Sequence, residues 1–412
     1  VAWQPVLRSE LARAARAAVA EIAAEIDRVP DAHKVPIDLA LFWAYAAGAF
    51  DDDASATAFD AASSALVGHI NSGAAGPLAL HDGLAGAGWV LSHISDGALG
   101  GLSALDDLFA GELDRPAPWP RDYDLISGLA GYAVYFLERL AGGAPRAAIG
   151  LQRIVEHLRS LAITDHDGTT WFTPVSILSP SGLLEAPNGR YDCGVAHGVP
   201  GVVAVLARIA GDPAVDETTA AEARRLATGA LGWMHARMGA PHLRGRFAPW
   251  ILPPGEVSPG LAAGGWCYGE PGVDLALWTA AQRLGQPVDA WRELARDSAR
   301  RPAEACDINT PGLCHGAVGL AHLFNRCYQA THEPVFADAV NHWIERTLAM
   351  RIPGTGPGGF TLSGDGTASV ASQQLLYGAT GIGLGLLAAL GTAEPGWDRL
   401  LACDLPIADD VA

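Results

Sequence analysis

A recurring glycine-headed unit constrains this chain more than any other feature. The unit is Gly-x-x-Gly followed by an apolar run. It opens at Gly83, Gly128, Gly198, Gly269, Gly316 and Gly378. Spacings between these first glycines run from 45 to 71 residues, which suits a repeat with variable loops rather than a strict solenoid. Residues 37–50 read as a seventh member without the glycines. The runs at 89–94, 132–140, 202–209, 275–280 and 384–390 are apolar nearly all round, the pattern of a helix buried on every side. More charged, amphipathic segments lie between them, at 7–28, 55–70, 102–113, 147–161, 217–238, 288–301 and 335–350. Seven buried helices alternating with seven surface helices predict an all-α fold. Paired antiparallel and closed into a ring, they form an α/α toroid with an inner and an outer layer.

The glycines have a structural task in such a fold. They let the chain turn tightly into each inner helix and allow close backbone approach. Gly-x-x-Gly also occurs where no ligand residue precedes it, so by itself it marks no site. Strand signals are confined to 169–177 and 359–362, which read as short hairpin arms. Residues 164–188 and 241–263 read as long loops, a type that often covers a functional site.

Half of the 412 residues are apolar and 17% are charged, enough to bury a large core, read as one domain over 1–412. A formal charge of -18 argues against nucleic acid, whose phosphates need Lys and Arg. No uncharged apolar run reaches the length of a membrane span. Residues 1–20 lack the apolar segment of a secretory signal, so the expected location is cytoplasmic. The six cysteines do not form a disulfide-framework pattern in a chain this long.

Aligning the repeats on their first glycine gives the chemistry. Two residues before it stand His81, Ile126, Ala196, Cys267, Cys314 and Leu376. One before it stand Asp82, Ser127, His197, Tyr268, His315 and Tyr377. Rotation-related repeats put equivalent residues on one ring, facing the same end of the central cavity. Cys267 and Cys314 share a register in consecutive repeats. Neighbouring helix axes lie about 8–10 Å apart and Zn–S bonds are about 2.3 Å, so both sulfurs reach one ion. His315 completes a Cys/Cys/His set. Three protein ligands leave a fourth position open, as in catalytic zinc sites, and thiolate with imidazole favours zinc over magnesium or calcium. Cys306, Cys327 and Cys403 read as small buried residues; Cys193 is a spare ligand candidate near His197.

His197 sits on the ring one repeat before Cys267 and is the first acid–base candidate. Asp124, at the mouth of the preceding repeat, either orients His197, handles a second proton, or only caps the inner helix. Trp266 and Tyr268 flank Cys267 as pocket-shaping candidates, with Tyr268 a further proton source. His81 and Asp82 fall on the far side of the ring.

Gly-Val-Ala-His-Gly-Val-Pro-Gly around His197, Trp-Cys-Tyr-Gly-Glu-Pro-Gly around Cys267, and Leu-Cys-His-Gly at 313–316 follow in that order. Together they resemble the lanthionine synthetase C-like family, the LanC-type cyclases. The resemblance implies an α/α toroid with one zinc on Cys267, Cys314 and His315. It implies that His197 and Asp124 matter for cyclisation, and it matches Trp266 and Tyr268 to the residues flanking the first zinc cysteine. Bacterial members often carry an Arg four residues before that cysteine; this chain has Ala263. Its role falls to Arg190, Arg244 or Arg246, or to none. No long insertion separates the first two inner helices.

The implied activity is that of a zinc-dependent lanthipeptide cyclase. It adds peptide Cys thiolates to dehydroalanine or dehydrobutyrine, forming (methyl)lanthionine thioether rings. The implied partners are a dehydrated precursor peptide, a lanthipeptide dehydratase and an export transporter, in the cytoplasm and peripheral to a membrane-associated complex. One alternative is addition of glutathione or another small thiol to dehydro residues. Another is a catalytically inactive zinc-containing scaffold.

Overall fold

The computed structural model describes residues 2–29, 36–71, 76–95, 102–144, 146–262, 264–362 and 370–407. Its helices are α1 (Ser9–Glu25), α2 (Pro36–Phe50), α3 (Asp53–Asn71), α4 (Leu84–Ile94), α5 (Ser103–Leu113), α6 (Leu129–Ala141), α7 (Ala147–Leu161) and α8 (Pro180–Glu185), followed by α9 (Val199–Gly211), α10 (Glu217–Ala236), α11 (Glu270–Leu284), α12 (Asp289–Arg300), α13 (Ala317–Thr331), α14 (Pro334–Ala349) and α15 (Ala379–Leu390). The apolar segments become α2, α4, α6, α9, α11, α13 and α15. Each packs on the next in that order, and α15 packs on α2, so the seven form a closed inner ring. Six amphipathic helices pack behind it: α3 on α2, α7 on α6, α10 on α9, α12 on α11, α14 on α13 and α1 on α15. The seventh, α5, packs on α7 and reaches α6 through buried Asp106, which accepts from Arg139 at 2.8 Å. The fold is all-α, as the alternation predicts. The short α8 lies within the 164–188 loop.

Strands are fewer than the residues suggest. Within 169–177, β2 (Thr169–Thr170) pairs with β1 (Ile163–Thr164) and Thr173 makes a single bridge with Arg190; Val175–Ile177 turns into a 3-10 helix. Residues 359–362 form no named strand, because Gly358 and Gly359 have positive φ of 62° and 78° and turn the chain there. A further pair, β3 (Tyr191–Asp192) with β4 (Trp250–Ile251), joins the chain just after the first long loop to the second.

The second glycine of each unit is fixed by steric crowding, not by an unusual φ. A Cβ at Gly319 would lie 1.9 Å from the Leu313 carbonyl oxygen, and one at Gly201 2.1 Å from that of Val195. The loop before each inner helix folds back against its first turn. There it accepts otherwise unpaired helix N–H groups: Ala317 N–H donates to Thr310, Val318 to Pro311 and Gly319 to Gly312.

These loop ends also bond from repeat to repeat. Leu80 N–H donates to Ile126, Leu125 to Ala196, Ala196 to Cys267, Cys267 to Cys314 and Cys314 to Leu376. The α2 repeat has no glycine loop, and there the Asp38 carboxylate accepts from Leu375 N–H at 2.6 Å. A side chain thus takes the place of the missing carbonyl. Burial first, and then Asp82, push the Asp38 carboxyl up to about 8.

The ring has a floor. The 3-10 turn Gly396–Leu401 and the residues after it touch five inner helices. Arg399 bonds Glu138 of α6 at 3.0 Å and His93 of α4 at 3.2 Å. Asp404 pairs with Arg208 of α9 at 3.6 Å and Arg283 of α11 at 2.9 Å. Asp398 holds His322 and Arg326 of α13 at 2.8 and 2.5 Å.

Candidate metal centre

The backbone bond from Cys267 N–H to the Cys314 carbonyl, 3.3 Å long, locks the two cysteine-bearing loops in one register. That bond is why two residues 47 apart in sequence share a site. The ligand atoms of Cys267, Cys314 and His315 all lie within 4.8 Å of one another. Cys267 Sγ is 3.9 Å from His315 Nδ1. Tetrahedral zinc with bonds of about 2.0–2.3 Å needs donors about 3.5–4 Å apart, so the donor set fits the ion. Cys314 is buried, Cys267 half-buried and His315 exposed, so the cluster opens on one side. The pair also shares charge: a hydrogen bond from Cys314 first, then His315, holds the Cys267 thiol well below its ordinary range. The same bond raises the Cys314 thiol.

Beside the cluster, His197 Nδ1 lies 2.5 Å from Asp124 Oδ2. The other oxygen, Oδ1, accepts from Ser127 N–H at 2.8 Å. Asp124 is therefore both loop brace and histidine partner. Burial works against a charged His197, but the Asp124 bond, with Asp192 and Cys267 nearby, wins and raises its pKa above the usual 6.5. The imidazole also stacks on the Tyr268 ring at 5.9 Å between centroids.

The profile of the lanthionine synthetase C-like protein family matches residues 38–402. The chain belongs to the lanthionine synthetase C-like family. A solved structure of nisin cyclase is similar to it with a TM-score of 0.68 at 17% identity, covering 90% of this chain and 91% of that one. At that identity the likeness speaks for the fold, and it agrees with the closed ring.

Other residues of this LanC-like site take defined places. Tyr268 Oη donates to Asp192 Oδ1 at 3.3 Å, and burial followed by Asp192 raises its phenol pKa. Its proton is thereby committed to a carboxylate. Asp192 also receives Thr173 Oγ1 at 2.8 Å and Arg190 Nε at 2.9 Å. Trp266, a pocket candidate from sequence, is only 1% exposed. Its indole N–H donates to the Leu401 carbonyl at 2.8 Å, so it joins the cavity floor to the loop before Cys267. His81 shares the cysteines' register but stays outside the cluster. It stacks edge-on to Trp266 at 5.9 Å, and burial lowers its pKa to about 4. Cys193, Cys306, Cys327 and Cys403 are buried and free.

Ala263 lies outside the described residues. Of the three arginines considered in its place, Arg190 reaches the site wall, with Nη2 3.3 Å from Tyr268 Oη and its guanidinium over the Trp250 ring. Arg244 pairs with Asp307 at the surface, and Arg246 with Asp297 at 2.9 Å. Sequence reasoning misses Asp192 and Tyr377. Asp192 stands six residues before Gly198 as Asp122 does before Gly128, a periodicity that points to it. Tyr377 stands in the same register as His197, Tyr268 and His315.

Proposed function

We propose that this protein is a zinc-dependent lanthipeptide cyclase, forming thioether rings between Cys and dehydroalanine or dehydrobutyrine in a dehydrated precursor peptide. The observation carrying this reading is the open Cys267/Cys314/His315 cluster with the His197–Asp124 pair beside it. Cys267, Cys314 and His315 would hold the zinc. Bound there, zinc supplies Lewis acidity that favours the thiolate form of a substrate thiol. The substrate sulfur bonds to the β-carbon of the dehydro residue, the carbon–carbon double bond becomes single, and the α-carbon takes a proton. The thiol has lost one proton and the product gains one, so the addition balances.

His197 is the donor to the α-carbon. Asp124 fixes its ring and favours the protonated form that must give the proton away. Tyr268 supports rather than donates, since its hydroxyl serves Asp192. The 396–405 segment bonds five inner helices, so a peptide would approach from the end of the ring that carries the cluster; holding both ends of a closing ring there would lower the entropic barrier. The 164–188 and 241–263 loops, joined where Asn188 Nδ2 donates to Glu256 Oε1 at 3.0 Å, would meet the peptide. A dehydratase and an export transporter are the expected partners, in the cytoplasm. Among the described residues no helix is long and apolar enough to cross a membrane.

The test is mass spectrometry after thiol alkylation, on dehydrated peptide with and without glutathione. Protection of peptide thiols without a mass change supports cyclisation. A gain of glutathione mass makes small-thiol addition the activity, and neither product leaves a zinc-containing scaffold.

A further inference from the structure

The C-terminal ends of the inner helices gather arginines that the mechanism leaves unused. Arg208 stands in the last turn of α9 and Arg283 in the last turn of α11. A cation there complements the helix end, but these two also line a cavity of about 510 Å³, with Arg399 of the floor as the third guanidinium. Two carboxylates, Asp212 and Asp404, share the lining. Asp212 Oδ1 already accepts from Ala214 N–H at 2.9 Å. Asp404 Oδ2 lies 2.9 Å from Arg283 Nη2 but 3.6 Å from Arg208 Nε. Arg399 is matched by Glu138 at 3.0 Å. Arg208 is therefore the underpaired member, although its side chain is only 11% exposed. Arg208 Nη1 and Arg283 Nε are buried with no hydrogen-bond partner among the described residues, and unmade buried donors are costly. Burial, with Arg283 and Arg399 close by, lowers the Arg208 pKa despite Asp404. The cavity lies at the opposite ends of α9 and α11 from His197 and Cys267, about 20 Å away at 1.5 Å per residue.

We propose that this cavity binds a phosphate group, with Arg208, Arg283 and Arg399 as its cationic wall. A guanidinium offers paired donors that match two phosphate oxygens. A phosphate in the cavity draws Arg208 and Arg283 toward it and gives their orphaned N–H groups acceptors. The volume exceeds that of a bare phosphate and suits a small organic molecule carrying one. The site is separate from the metal cluster and stands independently of the cyclase reading.

Isothermal titration calorimetry of the full chain with inorganic phosphate, at fixed ionic strength, is the test. The parent should bind one phosphate saturably. Arg208→Gln should weaken binding about 10–100-fold, the worth of hydrogen bonds to a charged group. Arg208→Lys keeps the charge and loses the fork, and should weaken it about tenfold; it carries the test if Arg208→Gln does not fold. Arg13→Gln, at an exposed position of α1, and Cys314→Ala should both bind phosphate as the parent does. No saturable binding in the parent overturns the proposal, as does parental affinity in both Arg208 variants. Loss of binding in Cys314→Ala would put the anion at the metal centre and overturn it equally. Asp409 and Asp410 follow the cavity-lining Pro406 in sequence. Binding that appears only in an Asp409→Asn/Asp410→Asn variant would mean that the chain's own carboxylates take the cavity, which overturns a free phosphate ligand.

Discussion

His197 depends on a single carboxylate, and that dependence has a direction. The proton donor must be protonated, so activity falls as pH rises through its pKa. Burial lowers that pKa and the Asp124 bond raises it. Asp124→Asn removes the raising contribution, so the alkaline limb of the pH–rate profile should move to lower pH; an unmoved limb would mean that another group gives the proton. His197→Asn should keep the full metal content while cyclisation drops about 10²–10⁴-fold, the usual worth of a positioned acid–base group. Metal loss in this variant would make His197 a ligand. From sequence, capping and catalysis compete for Asp124. In the fold they do not, because Oδ1 serves Ser127 and Oδ2 serves His197. Sequence does not show which oxygen faces where, and it gives no sign that Trp266 turns toward the floor while its neighbour Tyr268 faces His197.

The loop-plus-inner-helix unit carries the site, and its glycines decide whether it closes. Gly319→Ala would push a methyl into the Leu313 carbonyl, next to Cys314. Overpacking of this kind costs about 1–3 kcal/mol, so thermal denaturation should show a lower midpoint, together with weaker metal binding. Gly111, on the exposed face of α5, has nothing within 4 Å of its would-be Cβ. Gly111→Ala should instead stabilise by about 0.5–1 kcal/mol. Similar effects at both positions would refute the steric account. This level was the most legible in sequence, since apolar runs and glycine pairs report burial and close approach directly. The register of Cys267 with Cys314 was legible for the same reason: equivalent loop ends bond to one another around the ring. The expected hairpin arms were not, because two residues of pairing leave hardly any pattern to read.

At the scale of the molecule, the ring is closed by α15 on α2 and floored by the 396–405 segment. Sequence reasoning saw the closure but not the floor, because the floor's partners lie on five different helices. Burial opposes the charge on Asp398, yet Arg326 and His322 prevail and lower its carboxyl from 3.8 to about 2. The folded pKa is depressed, so this contribution to stability is present above pH ~4 and lost as pH falls toward ~2. Asp398→Asn leaves the buried Arg326 charge without its main partner and should cost about 3–5 kcal/mol in denaturant unfolding; a near-neutral change would show that the floor does not hold the ring together. The central claim is that three residues from two neighbouring repeats make a catalytic metal centre. It is tested most directly by elemental analysis of the purified chain and its Cys314→Ala variant, each assayed for cyclisation on the same sample. The account predicts one zinc per chain in the parent, and loss of zinc and activity together in the variant. A metal-free parent that cyclises at full rate would contradict it.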